Sequence, residues 1–116
     1  MAKKERRHLY EGMYILSATL SEDARKKALD KITSSITGKK GDIDRVFEQG
    51  RKKMAYEING RREGYYYIIY FTAPSSIVAD LWKEYHLNED LIRFVTMRAE
   101  SVPENMEFKP LVIEKA

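Results

Sequence analysis

The run Gly50-Arg51-Lys52-Lys53 leads straight into the segment Met54-Ala55-Tyr56-Glu57-Ile58. Three consecutive cations after a glycine and close to a tyrosine suit one chemistry, contact with the phosphates of a polyanion. Arg61 and Arg62 follow closely, so residues 51–62 hold five cations against Glu57 alone. Arg6 and Arg7 near the start, and Arg93 and Arg98 near the end, extend the set. Any one of these runs alone fits an ordinary solvated surface. Together, with compensating acid elsewhere in a chain of net charge +3, they describe a localised polyanion site. Binding by such a set would fall steeply with salt.

Other chemistries find little support. There is no cysteine, hence no disulfide framework and no thiolate metal site. His8 and His86 are far apart in sequence, which disfavours a histidine-based metal centre. No nucleophile and base stand together. Ser75 and Ser76 fall at a helix start, where capping explains them, and His86 at a helix end, where a cation suits the dipole. No glycine-rich loop is present to cradle a phosphate. The segment Ser17-Ala18-Thr19-Leu20 lacks the Gly and Arg that acylphosphatases place after their first strand. We therefore expect no enzyme, no metal, no cofactor and no small-molecule substrate. Without a readable helix motif or metal finger, shape-based RNA recognition is favoured over sequence-specific DNA reading.

At 116 residues the chain suits one domain with a genuine core. An apolar fraction of 43% is that of a globular protein. Nothing approaches the ~20 apolar residues of a membrane span, and the basic N-terminus has no apolar run behind it. The expectation is a cytoplasmic protein without membrane contact.

The elements that must position the cations read as follows. His8 to Ala18 is a strand, apolar at both parities. Ser21 followed by Glu22 and Asp23 starts a helix, with Ala24, Ala28, Leu29, Ile32 and Ile36 as its buried stripe. Gly38 and Gly41 end it and turn the chain. A second strand runs from about Asp42 to Ile58, bulged at Gly50. Asn59-Gly60 and Gly64 bracket a turn-prone connection holding Arg61 and Arg62. Tyr65 to Thr72 is a third strand. Pro74 opens a second helix with Val78, Leu81, Trp82 and Tyr85 buried, and Leu91 to Ala99 is a fourth strand. Strand, helix, strand, strand, helix, strand is the α+β, ferredoxin-like split βαβ arrangement: a four-stranded antiparallel sheet with two helices on one face. Its strand order, 4-1-3-2, predicts that Arg7 and Arg93 lie near each other. The domain spans residues 7–100, after a basic extension at 1–6 and before an extended, partly disordered tail at 101–116.

The sheet face away from the helices cannot be very polar. Tyr66, Ile68 and Tyr70 oppose Tyr67, Ile69 and Phe71 across the third strand, so an apolar set points outward and predicts a partner-protein surface. A homodimer interface, or a terminal segment folded over the sheet, explains such a face equally well. Gly64-Tyr65-Tyr66-Tyr67-Ile68-Ile69-Tyr70 also partly resembles the central-strand motif of RNA recognition domains, which would need Tyr65 and Tyr67 outward. Glu63 stands where that motif wants a cation, Tyr66 fills a position that should be small, and the likeness is mostly the ordinary composition of a central strand.

Several segments taken in order carry a more specific likeness. Arg7-His8-Leu9-Tyr10-Glu11 is similar to a short basic–Tyr–Glu opening. Gly50 to Ile58 resembles a signature of Gly, basic residues, Leu, Ala, Tyr, Pro and Ile, with Met54 for the usual Leu and Glu57 for the usual Pro. Gly64-Tyr65-Tyr66 with Ala73-Pro74, and Asn88 through Arg98, fit the remaining spacing. Over roughly residues 7–99 the chain resembles the bacterial small-subunit ribosomal proteins of the S-six family. The resemblance implies a ferredoxin-like structural protein without enzymatic activity. It implies pairing with the small-subunit protein numbered eighteen, and binding to the central domain of small-subunit ribosomal RNA. Arg7, Arg93, Arg98 and Arg51 to Lys53 are then RNA contacts by position, and Arg61 and Arg62 by charge. Tyr66, Ile68 and Tyr70 become candidates for the protein partner. The alternative is a ferredoxin-like homodimeric ligand-sensing or interaction domain.

Overall fold

A computed structural model describes residues 6–58 and 61–104. Most of the expected N-terminal extension, the Asn59-Gly60 turn and most of the expected tail lie outside those residues. The elements run β1 (Arg7–Ser17), α1 (Glu22–Gly38), β2 (Asp42–Ile58), β3 (Arg61–Pro74), a 3-10 turn (Ser75–Ile77), α2 (Val78–His86) and β4 (Leu91–Arg98). The four strands form one sheet in the order β2-β3-β1-β4, antiparallel at every pairing. This is the expected ferredoxin-like fold.

Ser21 caps α1 as its side chain predicts, its hydroxyl accepting a hydrogen bond from the Ala24 amide. Ala28, Ile32 and Ile36 carry the buried stripe of α1 onto the sheet. There they meet Tyr10, Tyr14 and Leu16 of β1, Tyr67, Ile69 and Phe71 of β3, and Leu81 and Tyr85 of α2. Near the middle of this core the Tyr14 and Tyr85 hydroxyls lie 2.9 Å apart and share one hydrogen bond, so two buried phenols satisfy each other.

Three local expectations change. The turn after α1 is made by Lys40, which holds the left-handed conformation at φ 68°. Gly41 is needed for a different reason: a Cβ there would sit 2.5 Å from Ile36 Cγ2 and 2.8 Å from its carbonyl oxygen. Trp82 does not join the buried stripe of α2, because the helix is short and its ring overhangs the β4 edge, 42% exposed. Strand β3 begins at Arg61 rather than Tyr65, so Arg61 and Arg62 belong to a long β2–β3 hairpin, not to a loop. Gly50 does mark a bulge, with φ +81° and a register shift beside it.

Two predictions follow from this packing. Gly41→Ala should lower stability by roughly 1–3 kcal/mol, whereas Gly38→Ala, whose Cβ would meet nothing within 4 Å, should raise it by about 0.4–1 kcal/mol; equal denaturation midpoints for the two variants would refute the close-approach argument. Burial pushes the Tyr85 hydroxyl up to about 12, and holds the Tyr14 hydroxyl well above its usual value. A raised folded-state value means stability that is complete below about pH 10 and is lost as pH climbs toward 12. Urea titrations from pH 8 to 11.5 should show that decline, and Tyr14→Phe with Tyr85→Phe together should flatten it.

Candidate nucleic-acid interface

Register decides which cations can act together. Gly50 pairs with Tyr66, Ile15 lies between Tyr66 and Arg93, and these four positions form one row across the sheet. Arg93 therefore stands at the same end of the molecule as Arg51, Lys52 and Lys53. Arg7 does not join them. It lies eight positions from Ile15 along β1, about 26 Å at the usual rise of a strand. Its neighbour across the sheet is the Arg98 end of β4, which pairs with Tyr10. The expected proximity of Arg7 and Arg93 is thus corrected: adjacent strands share an edge, but their cations sit at opposite ends of it.

Arg7 is also already occupied. Its guanidinium donates to the Lys40 carbonyl at 2.8 Å and the Thr72 carbonyl at 3.0 Å, and pairs with the Asp42 carboxylate. It fastens the start of β1 to β2 and β3. Arg98 is exposed and makes no ion pair among the described residues.

The hairpin cations divide in two ways. Successive strand residues face opposite sides, so Arg51, paired with Tyr65, and Lys53, paired with Glu63, share the side of the helices, while Lys52, paired with Gly64, takes the other. The contiguous triplet cannot present one flat patch. Carboxylates divide it further. Glu63 accepts a 2.9 Å bond from Arg51, and that bond holds the guanidinium above its usual pKa. Glu57 takes a 3.3 Å bond from Arg62. Lys53 is exposed and has no carboxylate partner among the described residues. The Arg61 side chain lies outside the described residues.

Arg93 is different in kind. It is half-buried beside Ile15 on the open face, and its Nε is shielded from solvent without a hydrogen-bond partner among the described residues. A buried guanidinium nitrogen lacking an acceptor is costly, and an incoming anionic or carbonyl oxygen would relieve it.

The outward set Tyr66, Ile68 and Tyr70 does lie on the face away from the helices. It is not an exposed patch, however: exposures are 1%, 5% and 3%. Tyr66 packs with Ile15 and Met54, flanked by Met13 and Ile92. Tyr70 meets the Phe47 ring edge-on and donates to the Glu11 carboxylate. Burial first, then that carboxylate, pushes the Tyr70 phenol far above its usual pKa. The expected open apolar surface is corrected on this point, since neighbouring side chains of the same sheet cover it. The RNA-recognition-domain likeness also fails: Tyr67 faces the helices, and Tyr65 lies under Arg25, whose guanidinium is 3.9 Å from its ring centre.

Sequence reasoning passed over three groups. Arg25 also donates to the Tyr67 hydroxyl at 3.0 Å; its place one position from Ala24, at the border of the α1 stripe, was the available signal. Arg45 lies over the Phe47 ring at 4.7 Å and reaches the Pro103 carbonyl at 3.4 Å. It draws the segment after β4 across the sheet to the opposite edge. Finally, a cleft of about 610 Å³ opens between α2 and β4, lined by Trp82, Tyr85, His86, Arg93 and Phe94 among others. Among the described residues there is no grouping of side chains fit to hold a metal ion, and no helix long and apolar enough to cross a membrane.

Comparison with known proteins places this geometry. Residues 9–98 match the family model for ribosomal protein S6. The small ribosomal subunit protein bS6 of Protochlamydia amoebophila is 65% identical over 104 residues, covering 90% of this chain and 91% of that protein. That of Chlamydia pneumoniae is 60% identical over 111 residues, covering 96% and 98%. The crystal structure of 30S ribosomal protein S6 from Thermotoga maritima superposes with a TM-score of 0.77 at 32% identity, covering 81% of this chain and 89% of that one.

The contrast between the two arginines at the Arg7 end is testable. Arg7→Ala should cost about 1–2 kcal/mol of stability by removing charge-assisted bonds. Arg98→Ala should stay within ~0.5 kcal/mol of the parent. Matching melting temperatures for the two variants would mean that Arg7 fastens nothing.

Proposed function

The chain belongs to the ribosomal protein S6 family, and on that premise we propose that it binds the central domain of small-subunit ribosomal RNA together with the small-subunit protein numbered eighteen. It is a structural, RNA-binding component of the bacterial small ribosomal subunit, works in the cytoplasm, and is not an enzyme. Family membership leaves the homodimeric ligand-sensing alternative without support.

The observation that carries the RNA surface is Arg93, half-buried with an unmet donor, at the same end of the sheet as Lys53, which no carboxylate partners among the described residues. We assign the leading phosphate contacts to these two, which reach the same end of the sheet from opposite faces, with Lys52 on the same open face as Arg93. Arg51 and Arg62 start from ion pairs with Glu63 and Glu57 and join only as RNA draws them away. Exposed pairs of this kind are worth little in water, so the exchange is cheap. Arg61 and Arg98 add general attraction. Arg7 acts mainly through the shape of the sheet end. For the protein partner, Tyr66, Ile68 and Tyr70 form the packed floor of the open face. Residues 7–100 make up the domain, with 1–6 and 101–116 as its extensions.

Arg93→Ala combined with Lys53→Ala should weaken binding to a central-domain RNA fragment, measured with the partner protein present. The dependence of log K on log salt should become shallower by roughly one to two units, about 0.9 for each phosphate contact on a duplex. An unchanged slope with unchanged affinity would remove both residues from the interface.

A further inference from the structure

The cleft between α2 and β4 holds a feature that phosphate contact does not require. Trp82 is a large aromatic residue left 42% exposed, yet its ring is held in place. Its indole N–H donates to the Thr96 hydroxyl at 3.2 Å, and the ring leans on Phe94 with centres 6.5 Å apart. His86 and Tyr85 pack edge-on against the same Phe94 ring at 5.0 and 5.1 Å. The result is an aromatic wall, fixed by β4 and partly open to solvent. Because the polar handle of Trp82 is already satisfied, what remains to offer is its apolar face.

Charge around the wall points to the occupant. Lys83 and His86 stand in the last turn of α2, and Arg93 belongs to the β4 stretch that lines the cleft, with its side chain on the open face beside Ile15. Glu84 is drawn away into a pair with Lys39 at 3.7 Å. Glu89 and Asp90 lie on the loop into β4, outside the residues that line the cleft. A volume of about 610 Å³ admits a group the size of a nucleoside. An aromatic surface beside a cation is how proteins hold an unpaired base, with the ring stacked and the phosphate neutralised.

We propose that the Trp82 cleft receives one unstacked nucleobase of the bound RNA, stacked on the indole, while the RNA backbone passes over the β4 edge to bring a neighbouring phosphate to Arg93 on the open face. This rests on the RNA-binding reading above and adds a base contact to it. Trp82 is the only tryptophan in the chain, which supplies a direct readout.

The test is fluorescence titration of the full chain, with its partner protein, against the central-domain RNA fragment. Parallel titration of Trp82→Phe isolates the Trp82 signal from any tryptophan of the partner. RNA should quench Trp82 emission. Trp82→Ala should weaken RNA binding roughly ten-fold while leaving the salt slope unchanged, because a base rather than a phosphate is lost. If Trp82→Ala fails to fold, Trp82→Leu, apolar but without an aromatic face, should show the same loss. The proposal is overturned if RNA binds with its usual salt dependence while Trp82 emission stays constant and both variants bind as tightly as the parent. It is equally overturned if the emission change comes from the partner protein alone, which would make the cleft a protein-docking site. Absence of any RNA binding by the parent complex would overturn the RNA reading as well.

Discussion

Every side chain of a pleated strand must take one face or the other, and through the centre of β1 and β3 both faces are mostly apolar. Tyr67, Ile69 and Phe71 go to the helices, while Tyr66, Ile68 and Tyr70 go to the opposite side. The sheet is consequently buried on both faces through its centre, although helices cover only one. Apart from Glu11, which Tyr70 engages, the charges of β1 and β3 lie at the start of β1 and in the β2–β3 hairpin. The basic surface owes its location to this packing constraint as much as to the number of its cations.

The same alternation explains why contiguity in sequence misleads about function. Arg51, Lys52 and Lys53 are the most conspicuous cations in the chain, but the pleat sends the middle one to the other face and Glu63 engages the first. Arg93 has no cationic neighbour in sequence. Register, not sequence, brings it level with Gly50, and burial leaves its Nε seeking an acceptor. A solitary, partly desolvated arginine is a sharper recognition element than a solvated run, because less of its interaction is screened by water.

Much of the architecture was legible because it is local. Ser21 followed by two acids, the apolar stripe of α1, the bulge glycine and the order of elements each depend on a few adjacent residues, and each appears in the structure. The distant pairings were not legible. Arg7 finds Lys40, Asp42 and Thr72 across gaps of 33 to 65 residues, and nothing in Arg7-His8-Leu9 announces a structural arginine. Trp82 satisfied the helical period yet remained half outside, since period fixes a direction without saying what stands there. Gly41 was recognised as a turn glycine for the wrong reason. The chain turns at Lys40, and Gly41 makes room for Ile36.

Beyond Ser17 the β2–β3 hairpin continues without β1 beside it: Gly64 is the last residue of β3 to pair with β1, while its pairing with β2 runs on to Arg61. The bulge at Gly50 sits at the base of that unsupported length, in a backbone conformation that glycine adopts readily. It therefore works like a wrist. The pointing of the cationic forearm depends in part on a residue that carries no charge and lies in open space, with a second register shift between Lys53 and Ile58 further out. Two chains with identical cations would present them at different angles if their wrists were set a few degrees apart.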